Sequence, residues 1–145
     1  TVTIEGPFFV DAGDTVQAQA SAASAIAARL EVSELAGQPD GYVLQAADGE
    51  FLTDSWTTRY TASGTVVVVP AISICNTHTA ALRPQLECVP SGGTQNAART
   101  IWADTLEPGE TAIVPGPVMQ TGDMIRGICA TTNQIAVRIS SVKVN

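Results

Sequence analysis

The chain has 145 residues, 45% apolar and only 14% charged, with a net charge of −7. That length suits one domain, or one domain with an appendage, and buries enough surface to fold without a metal or a disulfide. The seven Lys plus Arg residues form no cluster that would grip a phosphate backbone, which argues against nucleic acid and anionic membranes, and no apolar run reaches the roughly 18 residues of a bilayer span.

Residues 2–4 form a short extended run that ends at Gly6-Pro7. Phe8, Phe9 and Val10 follow, then a turn at residues 11–14. Residues 15–20 alternate, with Val16, Ala18 and Ala20 on one side and Thr15, Gln17 and Gln19 on the other. This period of two predicts a half-buried strand. After a small polar turn at 21–24, Ile26, Ala28, Leu30 and Val32 alternate with Ala27, Arg29, Glu31 and Ser33. The unit reads as a two-strand hairpin behind a Gly-Pro corner. Its alanines also permit a helix over 18–35.

Residues 36–40, AGQPD, are a linker by composition. Residues 41–45 predict a short strand, and Asp48-Gly49 a hairpin turn with Phe51-Leu52 returning. Residues 56–62 alternate, which puts Trp56 and Tyr60 on one face. The valine run at 65–69 predicts a strand buried on both faces. Pro70 marks an edge or a bulge before the strand resumes at 71–75. Residues 76–80 read as a loop, and 82–89, interrupted by Pro84, as an edge strand. After Pro90-Ser91-Gly92-Gly93 come a strand at 97–103, a turn at 106–110 and a strand at 111–115.

Residues 111–145 have a double at 1–35. Gly6-Pro7 answers Gly116-Pro117, and Gly13-Asp14 answers Gly122-Asp123. Val16 answers Ile125, Ile26-Ala27 answers Ile135-Ala136, Arg29 answers Arg138, and Leu30 answers Ile139. The second copy is rich in β-branched residues, which favours strands over the helix in both copies. Short strands separated by frequent turn signals predict an all-β chain. The expectation is an antiparallel, jelly-roll-like β-sandwich over 38–145, with a partial repeat over 1–37.

The run from Val89 to Thr94 with Asn96-Ala97-Ala98, the turn from Leu106 to Thr111, Gly122-Asp123, and residues 135–138 (Ile-Ala-Val-Arg) together resemble small β-sandwich structural proteins of tailed bacteriophages and prophages. The resemblance covers 76–145 best. It implies a non-enzymatic virion protein, a capsid decoration, fibre or tail component, whose partners are other virion proteins and itself. It carries over no catalytic residue. Ser140-Ser141-Val142 stands where that family usually has Ser-Gly-Val.

Residue chemistry adds little. Cys75, Cys88 and Cys129 lack metal-ligand spacing and read as buried free thiols, with a disulfide as the alternative. His78, the single histidine, sits in a loop without partners for a triad or a zinc site. Asp11, Asp14 and Asp123 fit turns better than calcium, which takes more oxygens. No catalytic, metal or cofactor set is predicted. Trp56, Tyr60 and Trp102 are the candidate platform for an alternative reading, a carbohydrate- or receptor-binding module, although buried aromatics in a sandwich core are commoner. A hydrolase would need a pair such as Asp48 and Glu50. Phe8, Phe9, Arg29 and Arg138 are candidate interface residues.

A lone hairpin exposes unpaired edges and an apolar face. The expectation is therefore that 1–35 completes a sheet by strand addition in a homo-oligomer, with a trimer favoured. The alternative is that it closes a preceding full domain. No secretory leader is legible, and Thr stands first rather than Met, so processing or a start inside a longer product is expected.

Overall fold

The computed structural model describes residues 42–46 and 50–144. The predicted partial repeat at 1–37 lies outside the described residues. The elements in chain order are β1 (Tyr42–Ala46), β2 (Glu50–Phe51), β3 (Thr57–Thr61), β4 (Val66–Asn76), β5 (Gln85–Val89), a 3-10 turn (Ala97–Arg99), β6 (Thr100–Ala103), β7 (Thr111–Val114), β8 (Val118–Gln120), β9 (Met124–Ile128) and β10 (Ile135–Val144).

The strands make two antiparallel sheets, and the fold is a β-sandwich. The first sheet runs β1-β10-β4-β7, with β2 also on β10 and β8 also on β4. The second runs β3-β9-β5-β6. Between them lie Leu52, Ile72, Ile74, Leu86, Ile125 and Ile139, all buried. The period-two patterns explain this directly. On β10, Ile135, Val137 and Ile139 are buried while Ala136 and Arg138 are only half-buried. Successive side chains of a strand point to opposite faces, so one face fills the core.

Several expectations are corrected. The valines of β4 are not buried on both faces: Val67 and Val69 are buried, but Val66 and Val68 are exposed. A β-branched run is equally compatible with one wet face. Asp48-Gly49, the predicted hairpin turn, lies outside the described residues, and the strands on either side of it do not pair with each other. Both β1 and β2 pair antiparallel with β10, Ala46 opposite Ser140 and Glu50 opposite Val137, so the chain keeps its direction between them. Residues 82–89 are not an edge strand. Pro84 precedes β5, which lies inside its sheet between β6 and β9. Leu82 makes only an isolated bridge to Leu106. Residues 97–99 form the 3-10 turn rather than strand; the Asn96 side chain accepts the Ala98 N–H and caps it. Finally, β9 and β10 are not a hairpin, because they belong to opposite sheets. An alternating pair joined by a polar loop reads the same whether it bends within a sheet or crosses between sheets.

The expected irregularity at Pro70 is a bulge in a central strand. The β10 partner shifts from Ala71 opposite Ser140 to Val68 opposite Val142. Val69 and Pro70 therefore stand together against Ser141. Proline has no N–H for the ladder, and a bulge accommodates that loss. The neighbouring edge breaks at the same level. Gly116 N–H donates to Val69 O, and Val69 N–H donates to Pro117 O, each at 3.1 Å. A Cβ on Gly116 would lie 2.6 Å from the Val69 Cβ and 2.7 Å from its carbonyl oxygen.

Backbone obstructs that site, so Gly116→Ala should destabilise the fold by about 1–3 kcal/mol, the range for overpacking. Urea unfolding at unchanged m-value would measure it, and an unchanged midpoint would show that the strands move apart freely.

Candidate interaction surface

The polar motifs of the sequence close the two ends of the sandwich. At one end Asn76 finishes β4 and is fully buried. Its Nδ2 donates to Ala80 O and Leu106 O, each at 2.9 Å, and its Oδ1 accepts the His78 N–H at 2.9 Å. Its backbone N–H donates to Glu110 O and its carbonyl accepts the Gly109 N–H, also at 2.9 Å. Glu110 Oε2 accepts the Glu107 N–H at 2.7 Å. One buried amide thus fastens the 76–80 loop to the Pro108-Gly109-Glu110 turn. Sequence reading took Asn76 as the start of a loop. The available signal was its register, since it continues the inward positions of Ile72 and Ile74. His78 belongs to the same fastening, with Nδ1 accepting the Ala80 N–H at 3.1 Å.

At the other end Asp123 joins two motifs. Its Oδ1 accepts the Ser91 N–H at 3.0 Å and its Oδ2 the Gln120 N–H at 2.8 Å. Ala62 N–H donates to Asp123 O, and Gly122 N–H to Ala62 O, each at 2.8 Å. Gly122 has φ +86, a conformation open to glycine. Both carboxylate oxygens of Asp123 thus hold backbone N–H groups, which is turn chemistry.

The thiols differ from expectation. All three are free, but only Cys129 is buried, while Cys75 and Cys88 are half-buried. Cys88 pairs with Ile125 beside the Asp123 turn. Burial pushes its thiol pKa up, and the Asp123 carboxylate adds to the rise.

The aromatic candidates do not share a surface. Tyr60 on β3 packs against the core and its hydroxyl meets Ser141 Oγ at 3.0 Å, tying one sheet to the other. Trp102 on β6 also packs against the core, opposite buried Leu86. β3 and β6 are the opposite edges of the second sheet. Trp56 does not join Tyr60, because β3 carries an extra residue between Thr58 and Tyr60. The face that holds Tyr60 therefore holds Thr57, opposite Gly127, rather than Trp56.

Glu50 forms an ion pair with Arg59 at 2.7 Å, and Asp48 lies outside the described residues. Phe8, Phe9 and Arg29 lie outside them too. Arg138 is half-buried on β10, across from Ser73. A polar row that sequence reading missed crosses the second sheet. Glu87 pairs with Arg126, which pairs with Thr58 beside Arg59. Glu87 is 1% exposed; its Oε2 meets the Asn96 N–H at 3.4 Å, and its Oε1 has no partner among the described residues.

The solvent-facing side of the first sheet carries an apolar row. Val142, Val68 and Val118 are register partners across β10, β4 and β8. Val68 is 40% exposed, Val118 69%, and neighbouring Val66 36%. Exposed apolar residues that line up across strands mark a contact surface more than scattered ones do.

No family model matches the sequence, and no curated protein matches it. Among solved structures, the chain is similar to a protein described as "Bacillus endospore appendages form a novel family of disulfide-linked pili", at 11% identity and a TM-score of 0.47, covering 80% of this chain and 98% of that one. It is also similar to PirA, at 11% identity and a TM-score of 0.37, covering 77% of this chain and 100% of that one. At these scores two chains need not share one topology, and the likeness transfers no function.

Two outcomes follow from the buried polar contacts. Tyr60→Phe should cost about 1 kcal/mol by stranding buried Ser141, and adding Ser141→Ala should recover part of it in a double-mutant cycle. For Cys88, the raised pKa means the folded state holds its proton longer. Its contribution is complete below the free-thiol value of 9.0 and is lost as pH rises through the higher folded value. Wild type should therefore lose stability relative to Cys88→Ala between pH 9 and the higher folded value, as read by urea unfolding across that range.

Proposed function

We propose that the chain is a non-enzymatic structural protein that acts through protein–protein contact. In its broad form it is a subunit of a larger protein assembly. In its finer form it is a phage-like virion component, a capsid decoration, fibre or tail protein, with other virion proteins and its own copies as partners. The observation that carries this reading is the apolar row Val142–Val68–Val118 on the solvent side of the first sheet. Such a row favours burial against another subunit over solvent. The motifs behind the phage resemblance support the same reading. Ser91, Asp123, Asn76 and Glu110 hold turns together, which suits a rigid building block.

Light scattering across a dilution series tests it. A homo-oligomer, with a trimer favoured, should persist on dilution. Reductant should leave its mass unchanged, because all three thiols are free. Val118→Asp should weaken assembly at least about tenfold without shifting the urea midpoint, since a charge is costly at a desolvated contact. A monomer at every concentration would sink the proposal.

A further inference from the structure

Among the described strands, the outer face of the first sheet carries almost no charge. β4, β7 and β8 have no charged residue. β10 has two, Arg138 and Lys143. Lys143 stands opposite buried Val67, on the inward side of the alternation. Arg138 stands opposite Ser73, on the outer side. Glu50 of β2 stands opposite buried Val137 and pairs with Arg59 of the other sheet. The chain as a whole has a net charge of −7, so two copies repel each other. This face adds no acidic group to that repulsion.

The exposed apolar side chains collect on the same face. Among the described residues the large ones are Phe51, Val66, Val68 and Val118. Val68 and Val118 share a row with Val142, and Val66 lies one level further along, opposite Gln120. Phe51, opposite Ala136, is at the opposite corner of the sheet. A ring of three copies is heterologous, because each copy sets one patch against a different patch of the next. The described residues hold no second apolar row for that role. A two-fold contact needs one patch, placed against itself.

The geometry points to a pair of copies joined face to face through this row, with the two-fold axis running along the row. This rests on the reading of the chain as a structural protein that acts through contact, and gives that contact its partner and its orientation. The partner is a second copy of this chain, and the product is a pair rather than the trimer favoured from sequence. Two axes lay the row on its copy. An axis along the strands keeps each level in place and brings both Arg138 positions to one level of a desolvated contact, which is costly for like charges. An axis along the row reverses the strands and carries each Arg138 beyond the far side of the other copy's row. Arg138 and Val142 are four positions apart, about 13 Å at the rise of a strand. The two cations then lie roughly 26 Å apart, beyond two Debye lengths at physiological salt. In this arrangement each residue of the row meets its own counterpart, Val68 on Val68 and Val118 on Val118.

Sedimentation equilibrium of the whole 145-residue chain tests it. Wild type should form a two-copy species. Val118→Asp and Val118→Lys should each weaken pairing at least about tenfold when alone. Mixed in equal amounts, they should pair again to within about threefold of wild type, because opposite charges then face each other across the axis. Val118 is 69% exposed, so both variants should keep the wild-type urea midpoint. A three-copy mass, an assembly that survives both variants, or a mixture no tighter than either variant alone would each overturn the inference and leave the broader structural reading standing. An assembly that survives both variants would give the row to another partner. A monomer at every concentration would overturn both.

Discussion

The first sheet depends on the bulge at Val69–Pro70. A proline in a central strand removes one ladder donor, and the strand answers by setting two residues against Ser141. That extra residue resets the alternation. Before it Val67 and Val69 point inward, and after it Ile72 and Ile74 do, so the long strand keeps one face in the core along its length. A bulge also bends the strand. The adjoining edge breaks at the same level, where Gly116-Pro117 closes onto Val69. Across the sandwich, Ser141 is positioned to meet the Tyr60 hydroxyl. One missing N–H thus sets the register of β10, the interruption between β7 and β8, and a link between the two sheets.

The ends of the sandwich are held by fully engaged polar groups. Asn76 and Asp123 each satisfy several backbone atoms at places where chain reversals would otherwise leave them unpaired. A buried polar group is costly unless it is bonded, and rigidifying when it is. This is why residue types that carry chemistry elsewhere act here as fasteners.

The closing strands give the topology its character. β7 to β10 insert one after another into both sheets, so residues 111–144 lock an architecture begun by the described strands before them. Such pairings are non-local and carry a loop-closure cost before they contribute stability.

The sequence by itself determined the class of fold, most strand positions and most turns. Alternation in β9 and β10, and Gly-Asp or Pro-Gly at the reversals, have short-range physical causes that a single strand or turn expresses alone. It also placed the irregularity at Pro70, because the missing donor is a property of that residue. Only the tertiary structure decided which strands pair. Period two states which side chains share a face, and it is silent on whether the neighbour is the next strand or a distant one. For that reason β9 and β10 looked like a hairpin, β5 looked like an edge, and the valines of β4 looked buried on both sides. The extra residue in β3 that separates Trp56 from Tyr60 was hidden in the same way. A bulge is a relation between two strands, settled by hydrogen bonds to β9 that no local pattern contains.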